Sequence, residues 1–213
     1  AASLTRSAEV PHTLRQVVML PVPMILTSLG LVNSWNWLHE KKLKLESEHF
    51  FAFMYILALG FSFTAFLKNY FTEYPIKYSW SWQYGYEEMV EYVKGKYSDY
   101  DKVIINKKYG EPHEFVLFYW PWEPEEYQND DNLVRFYQSE WWWVDAFDKI
   151  YFVNDWDISE EENVFVLESG LEIDCREERC LLITVPESYP KRWEKLETIY
   201  FLDGLPAFDF YEN

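Results

Sequence analysis

The chain has 213 residues, is 49% hydrophobic and 21% aromatic, and carries a formal net charge of −17. A chain of this length predicts one domain, or one domain plus an appendage. The acidic balance excludes nucleic acid and anionic membrane surfaces as the expected partners, because such contacts depend on Lys and Arg. Eleven Trp and seventeen Tyr exclude a disordered acidic tail, since such segments are poor in aromatic residues.

The charge is divided sharply along the chain. There are six basic and four acidic residues up to Lys68, whereas residues 69–213 hold 13 basic and 32 acidic residues. A break of this kind indicates two regions in different solvents. We therefore expect a membrane hairpin at 1–72 and a folded acidic domain at 73–213.

Two apolar runs predict the helices of the hairpin. Residues 50–67 carry no charge and would extend about 27 Å as a helix, close to the roughly 30 Å hydrocarbon core of a bilayer. This run predicts a transmembrane helix at 49–68, with a buried core helix as the alternative. The run at 17–32 predicts another at 16–38, with Trp35 and Trp37 as interface anchors. Its alternative is a re-entrant or interfacial segment.

The basic residues between the two runs suggest an orientation. By the positive-inside rule, Lys41, Lys42 and Lys44 place the connecting loop in the cytoplasm. Both ends of the chain would then lie outside. The sequence thus predicts a multi-pass protein of the plasma membrane, in contact with membrane lipid, whose C-terminal domain is extracytoplasmic.

Residues 73–213 alternate helical and strand-like patterns, which is typical of an α/β sheet domain. An amphipathic helix is expected at 84–97 and another helix at 190–196, while 114–120 suits either a helix or a strand. The pair Asp203-Gly204 predicts the turn of a closing β-hairpin at a sheet edge. Strands are expected at 103–105, 134–138, 149–153, 164–167, 181–185, 198–202 and 207–211.

Cys175 and Cys180 enclose the charged segment REER. An external location and this spacing favour a disulfide that closes a hairpin loop, with two reduced thiols as the alternative. A metal pair is disfavoured, since no His or further Cys lies nearby in sequence. The acidic stretch at 123–131 lacks the spaced pattern of a calcium loop, and a solvated acidic surface is expected there. We expect neither a metal site nor a cofactor.

Several segments resemble one family of membrane enzymes. The segment LTRSAEVPHTLRQVVMLPVPMILTSLGL resembles the last external loop and the following helix of bacterial GT-C type glycosyltransferases, relatives of the dolichyl-phosphate-mannose and aminoarabinose transferases. The stretches YFTEYPIKYSWSWQYGYEEMVEYV, YDKVIINKKYGEPHEFVLFYW and IYFLDGLPAFDFYE are similar to the passage into their external C-terminal domain and to parts of that domain.

The resemblance implies a function and a missing part. Such enzymes transfer a sugar from a polyprenyl-phosphate carrier to an external acceptor, with a carboxylate as base. Their catalytic carboxylate lies in the first external loop of a protein with many more membrane helices, and this chain has no such loop. It would thus be the C-terminal portion of a transferase, inactive alone, that meets its donor through the missing N-terminal part and helps to position the acceptor or to stabilise the assembly.

Two sets of residues are candidates for binding. His12 and Arg15 would steady a lipid phosphate at the membrane entry, since both donate hydrogen bonds to phosphate oxygens. Trp120, Trp122 and Trp142 with Glu123 would bind a sugar through aromatic faces and carboxylate hydrogen bonds. Ordinary packing is the alternative for each set. Another alternative is a non-enzymatic, membrane-anchored surface domain that binds carbohydrate or protein. Because three consecutive Trp cannot all point to one face of a strand, at least one exposed indole is expected at 141–143.

Overall fold

The computed structural model describes residues 21–40, 45–138 and 140–213. It divides the chain into two compact units, one ending at Leu67 and the other comprising Lys68–Asn213. The candidate phosphate-binding residues His12 and Arg15, and the predicted helix start at residue 16, lie outside the described residues. Each unit is described by itself.

The first unit contains helices α1, Pro21–Glu40, and α2, Leu45–Lys68. Their apolar side chains are exposed, with Ile25 at 58% and Phe61 at 77% of full exposure. Within the described part of the chain, one helix is long and apolar enough to cross a membrane, and it runs over His49–Lys77. None of its most apolar 18-residue window is buried, so the described residues do not form a core around this run. Two helices of this kind were expected, and α1 does not meet the same criteria of length and apolar composition.

The helix continues past Lys68 into the second unit. Asn69–Glu73 form a π-helical segment, and helix α3 covers Tyr74–Lys77. A short 3₁₀ helix follows at Ser79–Trp82 and ends at Gln83, whose φ of 57° lies in the left-handed region. The chain then turns through Gly85, also at positive φ, into helix α4.

The second unit is a mixed α/β domain built on a seven-stranded sheet. Its helices are α4 at Tyr86–Lys96, α5 at Pro112–Tyr119 and α6 at Pro124–Gln128. The strands are β1 (Lys102–Asn106), β2 (Val134–Gln138), β3 (Trp141–Phe147), β4 (Ile150–Val153), β5 (Val164–Val166), β6 (Glu172–Asp174), β7 (Cys180–Thr184), β8 (Glu194–Tyr200) and β9 (Pro206–Glu212). The sheet order is β2-β3-β4-β1-β7-β9-β8, while β5 and β6 form a separate hairpin.

The central strand β1 runs parallel to both of its neighbours. Val103 pairs with Ile150 of β4 and with Leu181 of β7. The other pairings in the sheet are antiparallel. The C-terminal ends of β4, β1 and β7 therefore lie at one edge of the sheet, called here the C-terminal edge.

The sheet is covered on both faces, because successive side chains of a strand point to opposite sides. Val103 and Ile105 of β1 belong to a core cluster with Met89 and Val90 of α4. Ile104, between them, joins a second cluster with Phe165 of β5 and Ile173 of β6. Burial on both faces explains why the central strands are nearly all apolar.

Most predicted elements of the domain are confirmed. The amphipathic helix, the strand at 134–138 and the closing hairpin at the sheet edge are present, and the ambiguous segment 114–120 belongs to helix α5. The helix expected at 190–196 is wrong, because residues from Glu194 onward pair with β9 as strand β8. An ion pair of 2.7 Å between Lys195 and Asp209 helps to hold that pairing against the helical propensity of Glu, Lys and Leu. Strands β3 and β6 and helix α6 were not expected.

Candidate functional site

The C-terminal edge of the parallel strands carries an unusual set of polar residues. At the end of β1, the Asn106 amide donates to Thr184 Oγ1 at 3.2 Å. Its carbonyl oxygen accepts the Lys108 backbone N–H at 2.6 Å, which turns the chain away from the strand. Ligands of open α/β sheets bind outside the carboxyl ends of the strands, so a ligand site is expected at this edge.

A buried ion pair lies at this edge. Lys107 Nζ donates to Asp145 Oδ1, and Lys107 Nζ also lies 3.4 Å from Glu168 Oε2. The second Asp145 oxygen accepts the backbone N–H of Ser169 at 2.6 Å. Both oxygens of this fully buried carboxylate are thus occupied, as a buried charge requires. The pair ties strand β3 to the end of β1.

A cavity of about 290 Å³ lies beside this pair. It is lined by Glu111, His113, Glu114, Trp141, Trp142 and Trp143. The first three residues come from the start of helix α5, which follows β1. The indoles come from β3, whose antiparallel pairing to β4, Ala146 with Tyr151, carries its first residues past the C-terminal edge. A cavity of this size suits one small ligand.

The imidazole of His113 is neutral at pH 7. Burial, together with the positive charges of Lys107 and Arg135, lowers its pKa from 6.5 to about 4. Its Nδ1 is buried without a hydrogen-bond partner and lies 3.5 Å from Glu111 Oε2. Contact at that distance is too loose to count as a hydrogen bond. A buried polar atom of this kind is available to a ligand.

The two glutamates give the cavity a negative character. Burial raises the pKa of Glu111, the Lys107 charge lowers it, and the nearby Glu114 raises it. Among the residues that the structure describes, Lys and Arg side chains do not line the cavity. It therefore disfavours an anionic ligand and favours a neutral or amino-bearing ligand with hydroxyl groups to donate to carboxylates.

The indoles of β3 supply apolar surface at the mouth of the cavity. Trp141 and Trp142 are 70% and 63% exposed, which confirms the expected exposed indole. Trp142 packs against Tyr137 of β2 at 5.4 Å between ring centroids, and Trp143 Nε1 donates to the Gln138 carbonyl at 2.9 Å. These contacts orient the hairpin side chains for contact with a ligand.

The four residues proposed as a sugar site do not meet in this cavity. Trp142 lines it, whereas Trp120, Trp122 and Glu123 do not. Trp120 packs on Tyr97 at 4.8 Å, and Trp122 packs on Phe147 at 5.3 Å, so both indoles serve the domain core. Glu123 is exposed before helix α6.

Glu111, His113 and Glu114 were not among the residues expected to form a site. The sequence signal for them is the position of the polar segment YGEPHEF shortly after the apolar run of strand β1. Among the described residues, His, Cys, Asp and Glu form no group of three or more that could hold a metal ion.

The structure joins the two cysteines in a disulfide. Cys175 and Cys180 lie with Cα atoms 5.9 Å apart, and both side chains are buried in the second core cluster. The C-terminal Asn213 donates to the carbonyls of Cys175 and Glu178, at 2.5 and 2.8 Å. These hydrogen bonds hold the disulfide loop against the last residue. The loop lies at the N-terminal ends of β1 and β7, opposite the C-terminal edge that carries the cavity.

Comparisons of this chain with protein-family models, with curated proteins and with solved structures found no match. The chemistry that the site can perform is thus set by its own side chains. These are a neutral imidazole, two carboxylates and three indoles around one small cavity.

Proposed function

We propose that this chain is the membrane-anchored C-terminal part of a polyprenyl-phosphate-sugar-dependent glycosyltransferase, with an extracytoplasmic α/β domain that helps to position the acceptor. The observation that carries the proposal is the apolar helix His49–Lys77, unburied in its most apolar window, which runs directly into the α/β domain. Exposing such a helix to water would be costly, because each large apolar side chain contributes about 1.5–3 kcal/mol on burial.

A membrane location accounts for several features together. Helix α1 is also exposed and apolar and would be the second span. The lysines between the spans and the disulfide between Cys175 and Cys180 both favour an external domain, since disulfides persist in oxidising compartments. His12 and Arg15 would then meet the carrier phosphate.

The cavity of the domain supports a sugar ligand. Indole faces pack against the C–H surface of a sugar ring, while carboxylates and a neutral imidazole accept its hydroxyl protons. The same cavity also supports a second candidate, a non-enzymatic membrane-anchored domain that binds carbohydrate. The two candidates differ in the sequence that they require upstream of Ala1.

The reading frame upstream of Ala1 separates them. Further hydrophobic segments with an acidic external loop near the start would support the transferase. A start codon directly before Ala1 would contradict it and leave the binding domain.

Sugar binding is tested with the full chain in lipid nanodiscs. We expect D-mannose, D-glucose or D-glucosamine to quench tryptophan fluorescence with millimolar affinity. Trp142→Ala should weaken this binding at least about tenfold, which corresponds to about 1.4 kcal/mol. Trp156→Ala is the matched control, because Trp156 is 76% exposed and does not line the cavity. Equal loss in both variants, or no response to any of the three sugars, would contradict the binding proposal.

A further inference from the structure

A group of aromatic residues follows the apolar helix directly. Tyr70 stacks on Tyr74 at 5.8 Å, and Tyr74 contacts Tyr78 at 4.8 Å and Trp82 at 6.4 Å. Three of these residues help to line a cavity of about 350 Å³. Its lining, called here the aromatic collar, consists of Tyr70, Phe71, Tyr74, Pro75, Ser79, Trp82, Tyr84 and Leu202. Most of this lining is apolar, and Phe71 and Trp82 are among the most exposed side chains of the domain.

The length of the apolar run fixes the depth of the collar in a bilayer. If residues 50–67 fill the roughly 30 Å hydrocarbon core, Tyr70 and Phe71 lie about 5 Å beyond its boundary, at about 1.5 Å rise per residue. That depth is the headgroup layer, where Trp and Tyr are enriched. The composition of the collar matches this position.

One member of the collar comes from the far end of the chain. Leu202 lies in the turn between β8 and β9 and lines the same cavity as Phe71. The turn is tightly bonded: Leu205 N–H donates to Asp203 Oδ1 at 3.0 Å, and Phe201 N–H donates to the Leu205 carbonyl at 2.8 Å. This geometry leaves Leu202 45% and Leu205 62% exposed.

We infer that the β8–β9 turn inserts Leu202 and Leu205 into the lipid interface and docks the α/β domain on the bilayer at a second point. The inference rests on the proposed membrane-spanning helix. A bilayer is the occupant we commit to, because the collar is continuous with the apolar helix and Leu202 must share the depth of Phe71. Exposed leucines on a tight turn beside Trp and Tyr are the usual composition of such an interfacial contact.

Docking at this point would orient the candidate site. The turn precedes β9, whose Asp209 pairs with Thr184 at the end of β7, so the turn lies at the C-terminal edge. Tyr109, in the loop after β1, packs on Phe201 at 5.3 Å, and its carbonyl accepts the Gln83 amide at 2.5 Å. The loop that leads to Glu111 and His113 is thus fixed to the collar. The C-terminal edge, with the cavity lined by Glu111, His113 and Trp142, would then face the bilayer, which holds a lipid-linked sugar.

The test measures the depth of single probes on the full chain in nanodiscs. Both native cysteines are joined in the disulfide, so an introduced cysteine is the one free thiol of the chain. A fluorescent label is placed at Leu205→Cys, and quenching is recorded with two sets of lipids, one with a spin label near the headgroup and one with a spin label deep in the acyl chain. We expect a blue-shifted emission and strong loss of intensity at this position.

Two reference positions make each outcome informative. Gly60→Cys lies within the apolar helix, where a side chain meets no neighbouring atom, and Ser98→Cys is exposed at the opposite edge of the sheet. Quenching at Gly60 by the acyl-chain label and at Leu205 by the headgroup label, with neither label quenching at Ser98, supports the inference. Quenching at Gly60 alone, or a blue shift at Leu205 without quenching, overturns it and indicates water or a protein partner at the turn. No quenching at Gly60 overturns the membrane proposal itself.

Discussion

Lys107 Nζ binds the Asp145 carboxylate inside the α/β domain, where the two side chains are 7% and 0% exposed. This contact joins the end of β1 to the middle of β3 and supports the wall of the candidate site. Lys107→Met would leave Asp145 charged and buried without its partner. Removing one partner of a buried pair costs about 3–5 kcal/mol, and we expect a loss of that size in urea unfolding.

The surface pair between Lys108 and Asp155, at 2.7 Å, is the matched control. Lys108 is half exposed, so Lys108→Met should cost less than about 1 kcal/mol. The double variant Lys107→Met/Asp145→Leu should recover more than half of the loss, because it removes both buried charges. A Lys107→Met variant as stable as the Lys108 variant would contradict the structure of this pair.

His113 should make the stability of the domain depend on pH. Its pKa falls from 6.5 to about 4 on folding, so the unfolded chain binds the proton more tightly than the folded one. The associated stability is present above pH 6.5 and is lost as the pH falls from there to about 4, by about 3 kcal/mol at most. Urea unfolding across this range measures it.

Glu111 contributes to the pH dependence of stability with the opposite sign. Its pKa is raised in the folded domain, so the folded state gains protons as the pH falls and part of the His113 effect is offset. The difference between the wild type and His113→Gln isolates the histidine. Equal pH dependence in both proteins would show that His113 is not buried as described.

The disulfide should stabilise the domain modestly. It closes a loop with a sequence separation of five, and the chain-entropy relation gives about 2 kcal/mol for so short a loop. The hydrogen bonds from Asn213 hold this loop even without the disulfide, so the loss of stability on removing the disulfide should be small. We expect Cys175→Ala/Cys180→Ala to lower the free energy of unfolding by about 2 kcal/mol, and a reducing agent to destabilise the wild type alone. Destabilisation of both proteins by the reductant would contradict this assignment.

The local pattern of the chain predicted much of the domain. Helix α4 has apolar residues at helical spacing, and β1 is a short apolar run after it, so periodicity was sufficient for both. The turn at Asp203-Gly204 was equally visible, because this pair favours a tight hairpin. These elements are determined by residues close in sequence.

The missed elements depend on pairing with other strands, which the pattern within each segment does not show. Strand β8 reads as a helix locally, and pairing with β9 decides otherwise. Strand β3 begins with three Trp whose strand character follows from pairing with β2 and β4. The candidate site was missed for the same reason, since the sheet order brings Glu111 and His113 beside Trp142. No local pattern gives that order.

Alkaline carbonate extraction of membranes from expressing cells shows whether the apolar helix of this chain lies in a lipid bilayer. We expect the wild-type chain to stay in the membrane pellet. Ile56→Lys/Leu59→Lys should shift it toward the soluble or aggregated fraction, because each central lysine costs about 2.5–3.5 kcal/mol on insertion. Release of the folded wild-type chain into the carbonate supernatant would contradict this location.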